Sequence, residues 1–262
     1  MEISYLTKER RARILQELKD NSKVFVTILS KELNVSEVTI RKDLNELKRK
    51  HLLTRIRGGA MRLPEVGIGN DTSIQEKQLK NYKEKRSVGK FAATLINDNE
   101  TIILDSGTTT LEIAKNLDSF NKLTIITNAI NIAIELTKYH RFNVILLGGN
   151  LRESSYSTVG PLAESILKLF YCDKLFLGVD SFNIEKGVST PNIEEANINQ
   201  TMMSMSKETI AVFDSSKFNK RSFAFIAPIS KINSIVTDKG IPSDIKAQLK
   251  KTTIQLYAVD IE

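Results

Sequence analysis

After residue 100, short apolar segments alternate with longer amphipathic ones, and this alternation limits the fold more than any other feature of the chain. Apolar runs of this kind separated by helices favour a mostly parallel sheet that is covered on both faces. We predict strands at 101–104, 123–127, 143–147, 174–179, 209–213, 223–227, 234–237 and 252–258, and helices at 110–117, 129–138, 159–169, 194–206 and near 242–250. The larger part of the chain is therefore expected to be an α/β domain.

The first 62 residues follow a different pattern. Helices are predicted at 7–20, at 26–33 and from Ser36 to about residue 50, followed by a two-stranded hairpin around Gly58-Gly59. This order is typical of a winged helix-turn-helix. Residues 63–81 are polar, without a clear period, and are expected to be a linker that turns helical near its end. We therefore predict domains at 1–62 and 82–262.

The positive charge lies entirely in the smaller domain. The 262-residue chain has a formal net charge of +7. Residues 1–62 contain 15 Lys+Arg and 8 Asp+Glu, whereas residues 63–262 contain 23 of each sign. A basic segment beside a neutral one indicates a polyanionic partner, either nucleic acid or an anionic membrane surface, although a solvated charged surface remains an alternative. A membrane role is disfavoured because the basic segment has no large apolar face.

The third predicted helix has the pattern of a DNA-reading helix. Ile40, Leu44 and Leu47 recur at helical spacing and should face the core, which leaves Val38, Thr39 and Lys42 on the outer face. Small residues and cations there suit docking into the major groove, with Ser36 and Arg41 better placed for phosphates. Solvated outer cations are the alternative. With the arginines of the wing, the predicted DNA-binding residues are Ser36, Val38, Thr39, Arg41, Lys42, Arg55 and Arg57.

A second candidate site follows the first predicted strand of the larger domain. The sequence DSGTTT, residues 105–110, places small hydroxyl residues and a glycine between a strand and a helix. Backbone N–H groups converge at such a turn and favour an anion, and Asp105 is suited to sugar hydroxyls. An ordinary helix cap would have the same composition.

Several later strand ends also carry polar groups, and the carboxyl ends of parallel strands lie at one edge of the sheet. A single pocket is therefore predicted there, in which Lys217 supplies a full charge to a phosphate. The predicted effector-binding residues are Asp105, Ser106, Gly107, Thr108, Thr109, Thr110, Asn128, Gly148, Gly149, Asp180, Glu195, Asp214 and Lys217.

Composition argues against several other classes. One cysteine and two histidines leave little material for a metal centre, so no metal and no cofactor is expected. No apolar run approaches the length of a membrane span, and the first residues lack the apolar stretch of a signal peptide. A cytoplasmic location is expected.

These motifs resemble the DeoR family of regulators. The run from Val35 to Leu44 and the closing Gly58–Ala60 are similar to its winged helix-turn-helix signature, with departures at Lys42, His51 and Arg57. The segments DSGTTT, TNA, LLGGNLR, STVGP, FLGVDSF, EEANINQTM and FDSSKF are similar, in that order, to its C-terminal sensor domain. The resemblance covers residues 6 to about 240. It implies a transcriptional regulator, usually a repressor of a sugar-catabolism operon that a phosphorylated sugar releases. A single winged domain reads few bases, so a homo-oligomer, dimer or tetramer, is expected.

The sensor fold of that family is similar to ribose-5-phosphate isomerase, which raises an enzyme as the alternative. The isomerase pattern has an Asp-Gly-Ala-Asp stretch, whereas this chain has Leu177-Gly178-Val179-Asp180. Loss of the first acid favours binding without turnover, so no enzyme activity is expected, although Asp180 and Glu195 leave the alternative open.

Overall fold

A computed structural model describes residues 7–21, 23–49, 53–56, 58–61 and 72–262 of the chain. The chain divides into two compact units, Met1–Val66 and Gly67–Glu262, which we call the N-terminal and C-terminal units. In the described ranges, no helix has the length and apolar character needed to cross a membrane.

The N-terminal unit has the predicted three helices and wing, with one additional strand. Its elements are α1 (Thr7–Asn21), β1 (Lys23–Phe25), α2 (Val26–Glu32), α3 (Glu37–Arg49), β2 (Thr54–Ile56) and β3 (Gly59–Met61). The predicted two-stranded wing is a three-stranded antiparallel sheet in the order β1-β3-β2. A three-residue strand is too short to show an alternating pattern, so the sequence did not predict β1. Glycine is needed at position 59, because a Cβ there would collide with the carbonyl of Val24 on β1.

The core face of α3 is the predicted one. Ile40 and Leu44 are fully buried and Leu47 is 2% exposed, and they pack with side chains of α1 and α2. Ser36 caps the helix by accepting a hydrogen bond from the N–H of Thr39 at 3.2 Å. The apolar stripe and the cap together fix which face of α3 points outward.

A buried ion pair that the sequence did not indicate joins α1 to α3. The Asp43 carboxylate is 2% exposed and accepts from Arg10 Nε at 2.6 Å and from Arg11 Nε at 2.7 Å. A buried carboxylate is tolerated only where cations compensate it. Asp43 therefore sets the position of α3 against α1.

The C-terminal unit contains the predicted alternation. Its helices are α4 (Ile74–Leu79), α5 (Tyr82–Ala93), α6 (Thr108–Ala114), α7 (Ile130–Leu136), α8 (Pro161–Leu167), α9 (Ile193–Ser204) and α10 (Ser243–Leu249). Its strands are β4 (Thr101–Leu104), β5 (Thr124–Thr127), β6 (Asn143–Leu146), β7 (Asn150–Arg152), β8 (Ser157–Val159), β9 (Cys172–Gly178), β10 (Ser181–Asn183), β11 (Gly187–Thr190), β12 (Ser206–Val212), β13 (Ala224–Ala227), β14 (Ser234–Asp238) and β15 (Gln255–Val259). Single 3₁₀ turns lie at Thr137–Tyr139, Ser215–Lys217 and Ile229–Lys231.

The main sheet has seven strands in the order β15-β14-β12-β9-β4-β5-β6, and all of its neighbouring pairs are parallel. Successive residues of each strand point to opposite faces of the sheet and pack into two apolar layers. One layer includes α8, α9 and α10, and the other includes α5, α6 and α7. The predicted strand at 223–227 does not join this sheet. It forms β13 of a separate antiparallel sheet, β10-β11-β13, because apolar alternation does not specify a strand's partner.

The order of the strands reverses between β4 and β9. From β4 the chain adds β5 and β6 on one side, and β9 then lies on the other side of β4. A crevice forms at such a reversal because the connections leave in opposite directions.

The predicted linker, residues 63–81, ends in structure that belongs to the C-terminal unit. Ser73 caps α4 by accepting from the N–H of Glu76, and Ile74 is 3% exposed. Residues 62–71 lie outside the described residues.

We predict that Asp43→Asn destabilises the N-terminal unit by about 3 kcal/mol, because it leaves two arginines without their buried counter-charge. Urea denaturation with hydrogen exchange of residues 37–49 measures the loss. Glu17→Gln, which removes the exposed ion pair with Arg13, is the matched control and should have little effect. Equal effects of the two variants would contradict the assigned importance of Asp43.

Candidate functional site

The outer face of α3 presents the predicted DNA-binding side chains. Val38 is 65% exposed, Arg41 and Lys42 are exposed, and Thr39 is half-buried beside the Ser36 hydroxyl at 2.9 Å. These residues lie opposite the buried Ile40 stripe. The face therefore combines a small apolar contact, hydroxyl groups and cations at the start of one helix, as major-groove docking requires.

Of the two predicted wing arginines, the structure describes Arg55. Arg55 lies on β2 and turns toward α3, where it donates to Asn45 Oδ1 at 3.1 Å and to the Arg41 carbonyl at 3.4 Å. Arg57 lies outside the described residues. Asn45 is exposed on the same helix as Lys42, and its amide is a group that can pair with adenine. Sequence reasoning missed Asn45, although its helical spacing from Lys42 places it near the outer face.

The C-terminal unit has a pocket at the reversal between β4 and β9. Eight of the predicted residues line it: Asp105, Ser106, Gly107, Thr108, Thr109, Asp180, Glu195 and Lys217. Other lining residues were not predicted: Ile74, Lys77, Lys85, Ser154, Ser155, Gly178, Val179, Thr190 and Asn199. The segments that follow β4, β9 and β12 thus contribute predicted residues to the pocket, whereas the predicted residues that follow β5 and β6 do not line it.

Asp105 lies at the bottom of the pocket. Its carboxylate is 2% exposed and accepts from the N–H groups of Ser106 at 2.7 Å and Gly178 at 3.2 Å, which links the end of β4 to the end of β9. Burial and the nearby Glu195 raise the pKa of Asp105 well above its usual range, against the effect of the two N–H donors. In the amide orientation that satisfies its neighbours, Asn199 donates to Asp105 Oδ1 at 3.2 Å.

Glu195 is held from two sides. Its carboxylate forms an ion pair with Arg152 and accepts from the Thr190 hydroxyl at 2.7 Å. Asn192 caps α9 and accepts from the N–H of Glu195, so the helix start directs this side chain into the pocket. With Asp105 and Asn199, Glu195 forms an inner end rich in groups that bind hydroxyls.

The other end of the pocket is cationic. Lys77 Nζ lies 2.9 and 3.0 Å from the two oxygens of Asp180, and Lys217 Nζ lies 3.6 Å from Asp180 Oδ1. Burial alone would raise the pKa of Asp180, but the two ammonium groups lower it below its usual value. Lys85, which is 4% exposed, donates to the backbone carbonyl of Lys77. Burial lowers the pKa of Lys85 to about 8, and Lys217 and Lys77 add to this effect, while Asp214 opposes it.

The DSGTTT segment forms the turn between β4 and α6. Gly107 precedes the helix with φ 155° and ψ 168°, a conformation that is essentially restricted to glycine. Thr108 and Thr109 line the pocket. Thr110 does not, because its fully buried hydroxyl donates back to the Gly107 carbonyl at 3.1 Å.

Four further predicted residues also lie outside the pocket. The β7–β8 hairpin covers the ends of β5 and β6: Thr158 N–H donates to the Asn128 carbonyl at 2.8 Å, and a Cβ at Gly149 would lie 2.6 Å from the Val159 carbonyl. Asn128, Gly148 and Gly149 thus lie beside this hairpin and not in the pocket lining. Asp214 is 1% exposed and accepts from Asn81 at 2.7 Å and from the Ser216 N–H at 3.1 Å, so it lies behind the pocket.

Of the pocket cations that were not predicted, Lys85 could have been identified from the sequence. Lys85 shares a helical face with Val88, Gly89 and Ala92, all of which are buried. A lysine on an apolar face is a candidate for a buried functional cation. Lys77 and Arg152 had no comparable signal, because their roles depend on how distant segments meet. Within the described ranges, no group of three or more His, Cys, Asp and Glu residues is arranged to hold a metal ion.

Comparison with known proteins gives matches along most of the chain. Residues 10–65 match the DeoR-like helix-turn-helix domain, and residues 80–239 match the DeoR C terminal sensor domain. A protein of Escherichia coli O157:H7 named as an aga operon transcriptional repressor is 39% identical, over 97% of this chain and 94% of its own length. The lactose phosphotransferase system repressor of Staphylococcus epidermidis is 36% identical, over 86% of this chain and 87% of its own length. Among solved structures, ribose 5-phosphate isomerase A of Methanocaldococcus jannaschii aligns with a TM-score of 0.41 and 16% identity, over 54% of this chain and 56% of that one.

The lowered pKa of Lys85 predicts a pH dependence of stability. Below pH 8 both folded and unfolded chains hold the proton, whereas between about 8 and 10.5 only the unfolded chain does. The free energy of unfolding should therefore rise over this window relative to Lys85→Met, and this gain should be complete above it. Urea titrations at several pH values measure the difference, with Lys90→Met, an exposed lysine of α5, as the control. A constant difference between wild type and Lys85→Met across the window would show that Lys85 titrates normally.

Proposed function

This chain belongs to the DeoR family of transcriptional regulators, and we propose that it represses a sugar-catabolism operon until a phosphorylated sugar binds its C-terminal unit. The observation that carries the effector assignment is the two-ended pocket between β4 and β9. One end presents Asp105, Glu195 and Asn199, and the other presents three lysines. A sugar phosphate has hydroxyls for the first end and a dianion for the second.

Two parts of the pocket suit the phosphate. The Ser106–Thr109 turn contributes small hydroxyl residues to the pocket lining, and Lys217 would supply the predicted charge. Residues 63–262 carry no net charge excess by sequence, so an anion is attracted by these local groups rather than by a general field. Asp105 is expected to accept from a sugar hydroxyl, as predicted from its position at a strand end.

The N-terminal unit is the proposed operator-binding element. Val38, Thr39 and Lys42 would contact base edges, and Ser36 and Arg41 would contact phosphates, with Arg55 supporting α3. Because one winged unit covers few base pairs, we expect a dimer or tetramer to bind a repeated operator. The effector would act through a different affinity for the two arrangements of that assembly.

The isomerase alternative has one observation in its favour, since Asp180 and Glu195 both line the pocket. Each is already engaged, however: Asp180 faces Lys77 and Lys217, and Glu195 pairs with Arg152. The position of the isomerase's first acid holds Leu177, which is fully buried. A carboxylate held by a cation is a poor general base near neutral pH, so these contacts support binding rather than turnover.

We predict that changes on α3 separate into two classes. Arg41→Ala should weaken binding to most duplexes alike and reduce the salt slope by about 1, whereas Lys42→Ala should alter base preference at one or two positions. Selection of binding sites from a random duplex pool, followed by gel shifts at several salt concentrations, measures both effects. Lys239→Ala, an exposed lysine of the C-terminal unit, is the control. If the two α3 variants behave identically, the face assignment is wrong.

For the effector, we predict that at least one phosphorylated sugar in a panel stabilises the protein and releases the selected duplex. At 100 times its Kd, such a ligand stabilises a protein by about 2.7 kcal/mol, which a thermal shift detects. Thr109→Val should keep duplex binding but blunt the release, because Thr109 lines the pocket and its hydroxyl is lost. Lack of response to every phosphorylated sugar would refute the sensor role, and turnover of ribose 5-phosphate would favour the isomerase.

A further inference from the structure

The helix α4 forms one wall of the pocket, although it precedes the main sheet in the chain. Ile74 and Lys77 both line the pocket. The N–H of Ile74 donates to the Ser154 carbonyl at 2.7 Å, and Gln75 donates to the hydroxyl of Tyr156. These contacts join α4 to the loop between β7 and β8, whose Ser154 and Ser155 also line the pocket. We call α4 and residues 153–156 the α4 wall.

Within the pocket, the Asp180 carboxylate contacts Lys77 of the α4 wall and also a second lysine, Lys217. Asp180 places both oxygens at about hydrogen-bond distance from Lys77 Nζ, 2.9 and 3.0 Å, while Lys217 Nζ lies 3.6 Å away. The side chains of Lys77, Lys217 and Asp180 are each 22–24% exposed, so a ligand in the pocket can reach them. The buried Lys85 adds a third cation beside them. Three lysines therefore lie near Asp180 at this end of the pocket, whereas Asp105 and Glu195 lie at the other end.

We propose that the anionic group of the effector replaces Asp180 as the partner of Lys77, so that α4 changes its contact when the pocket is occupied. This inference rests on the proposed binding of a phosphorylated sugar. A phosphate carries close to two negative charges and three strong acceptors, so it can contact both Lys77 and Lys217, whereas a carboxylate carries one charge. Asp180 then remains paired with Lys217.

The position of α4 in the chain gives this exchange a consequence. It is the first helix after residues 62–71, the segment that joins the two units. A ligand that binds Lys77 in place of Asp180 therefore acts on the first described helix of the C-terminal unit.

Inorganic phosphate tests the exchange without knowledge of the sugar. Titrations followed by ³¹P NMR, at ionic strength balanced with chloride, give the affinity of the full chain for phosphate. Lys77→Gln should weaken phosphate binding about tenfold, since a charge-assisted contact is lost. Lys77→Arg should retain most of the affinity. Asp180→Asn should strengthen it severalfold, because the competing carboxylate is gone. Lys138→Gln, an exposed lysine paired with Glu135, controls for net charge.

Changes of phosphate affinity in opposite directions for Lys77→Gln and Asp180→Asn distinguish the exchange from a merely structural ion pair. A structural pair predicts that both variants lower phosphate affinity together, and that outcome overturns the proposal, as does undetectable binding of phosphate by the wild type. Hydrogen exchange of residues 72–81 should slow when phosphate binds the wild type, while residues 243–249 of α10 do not change. Unchanged exchange in α4 also overturns it.

The Lys77 exchange and the effector role can fail separately. If phosphate binds with the predicted opposite signs but no sugar phosphate releases DNA, the effector role fails and the Lys77 exchange stands. If a sugar phosphate releases DNA and Lys77→Gln leaves phosphate affinity unchanged, the exchange fails and the effector role stands. Thermal unfolding of each variant confirms that an altered affinity does not reflect loss of the fold.

Discussion

The reversal of strand order between β4 and β9 is the constraint on which the C-terminal unit depends. Strands β5 and β6 extend the sheet on one side of β4, and β9, β12, β14 and β15 extend it on the other. Asp105 bridges the reversal, since it follows β4 and accepts from the N–H of Gly178 at the end of β9. The pocket exists because no crossover helix can cover this point. Polar groups at β5 and β6 lie farther from it and are covered by the β7–β8 hairpin instead.

Charge is handled differently in the two units. On α3 the side chains of Arg41 and Lys42 are exposed, so they cost little to maintain and can attract an anionic partner at long range. In the pocket the charges are partly or wholly buried, and most are compensated in place, as in the contacts of Asp180 with Lys77 and of Glu195 with Arg152. The unit with the net charge is thus suited to a polyanion. The neutral unit is suited to a small anion that must reach specific groups.

The sequence predicted those parts of the structure that local pattern determines. Periodicity identified the buried stripe of α3 and the parallel strands, and turn composition identified the Ser106–Thr109 lining. It could not show that Asp43 meets Arg10, since the two residues are 33 positions apart. The same limit hid Lys77 and Arg152. The position of Asn128, Gly148 and Gly149 outside the pocket has a related cause, because strand ends converge only where the order of the strands allows it, and no single segment of the sequence specifies that order.

Both units place an ion pair where a functional element must be held. Asp43 fixes α3 through two arginines of α1 and lies 2% exposed, so water cannot readily replace its partners. The Asp180 contact with Lys77 holds α4 in the same manner, but its side chains remain about one-quarter exposed and face a pocket. A buried pair resists competition, because a competitor must first be desolvated. A partly exposed pair at the end of a pocket that contains three lysines admits a competing anion. The difference in burial therefore separates an ion pair that maintains the reading surface from one that a ligand can exchange.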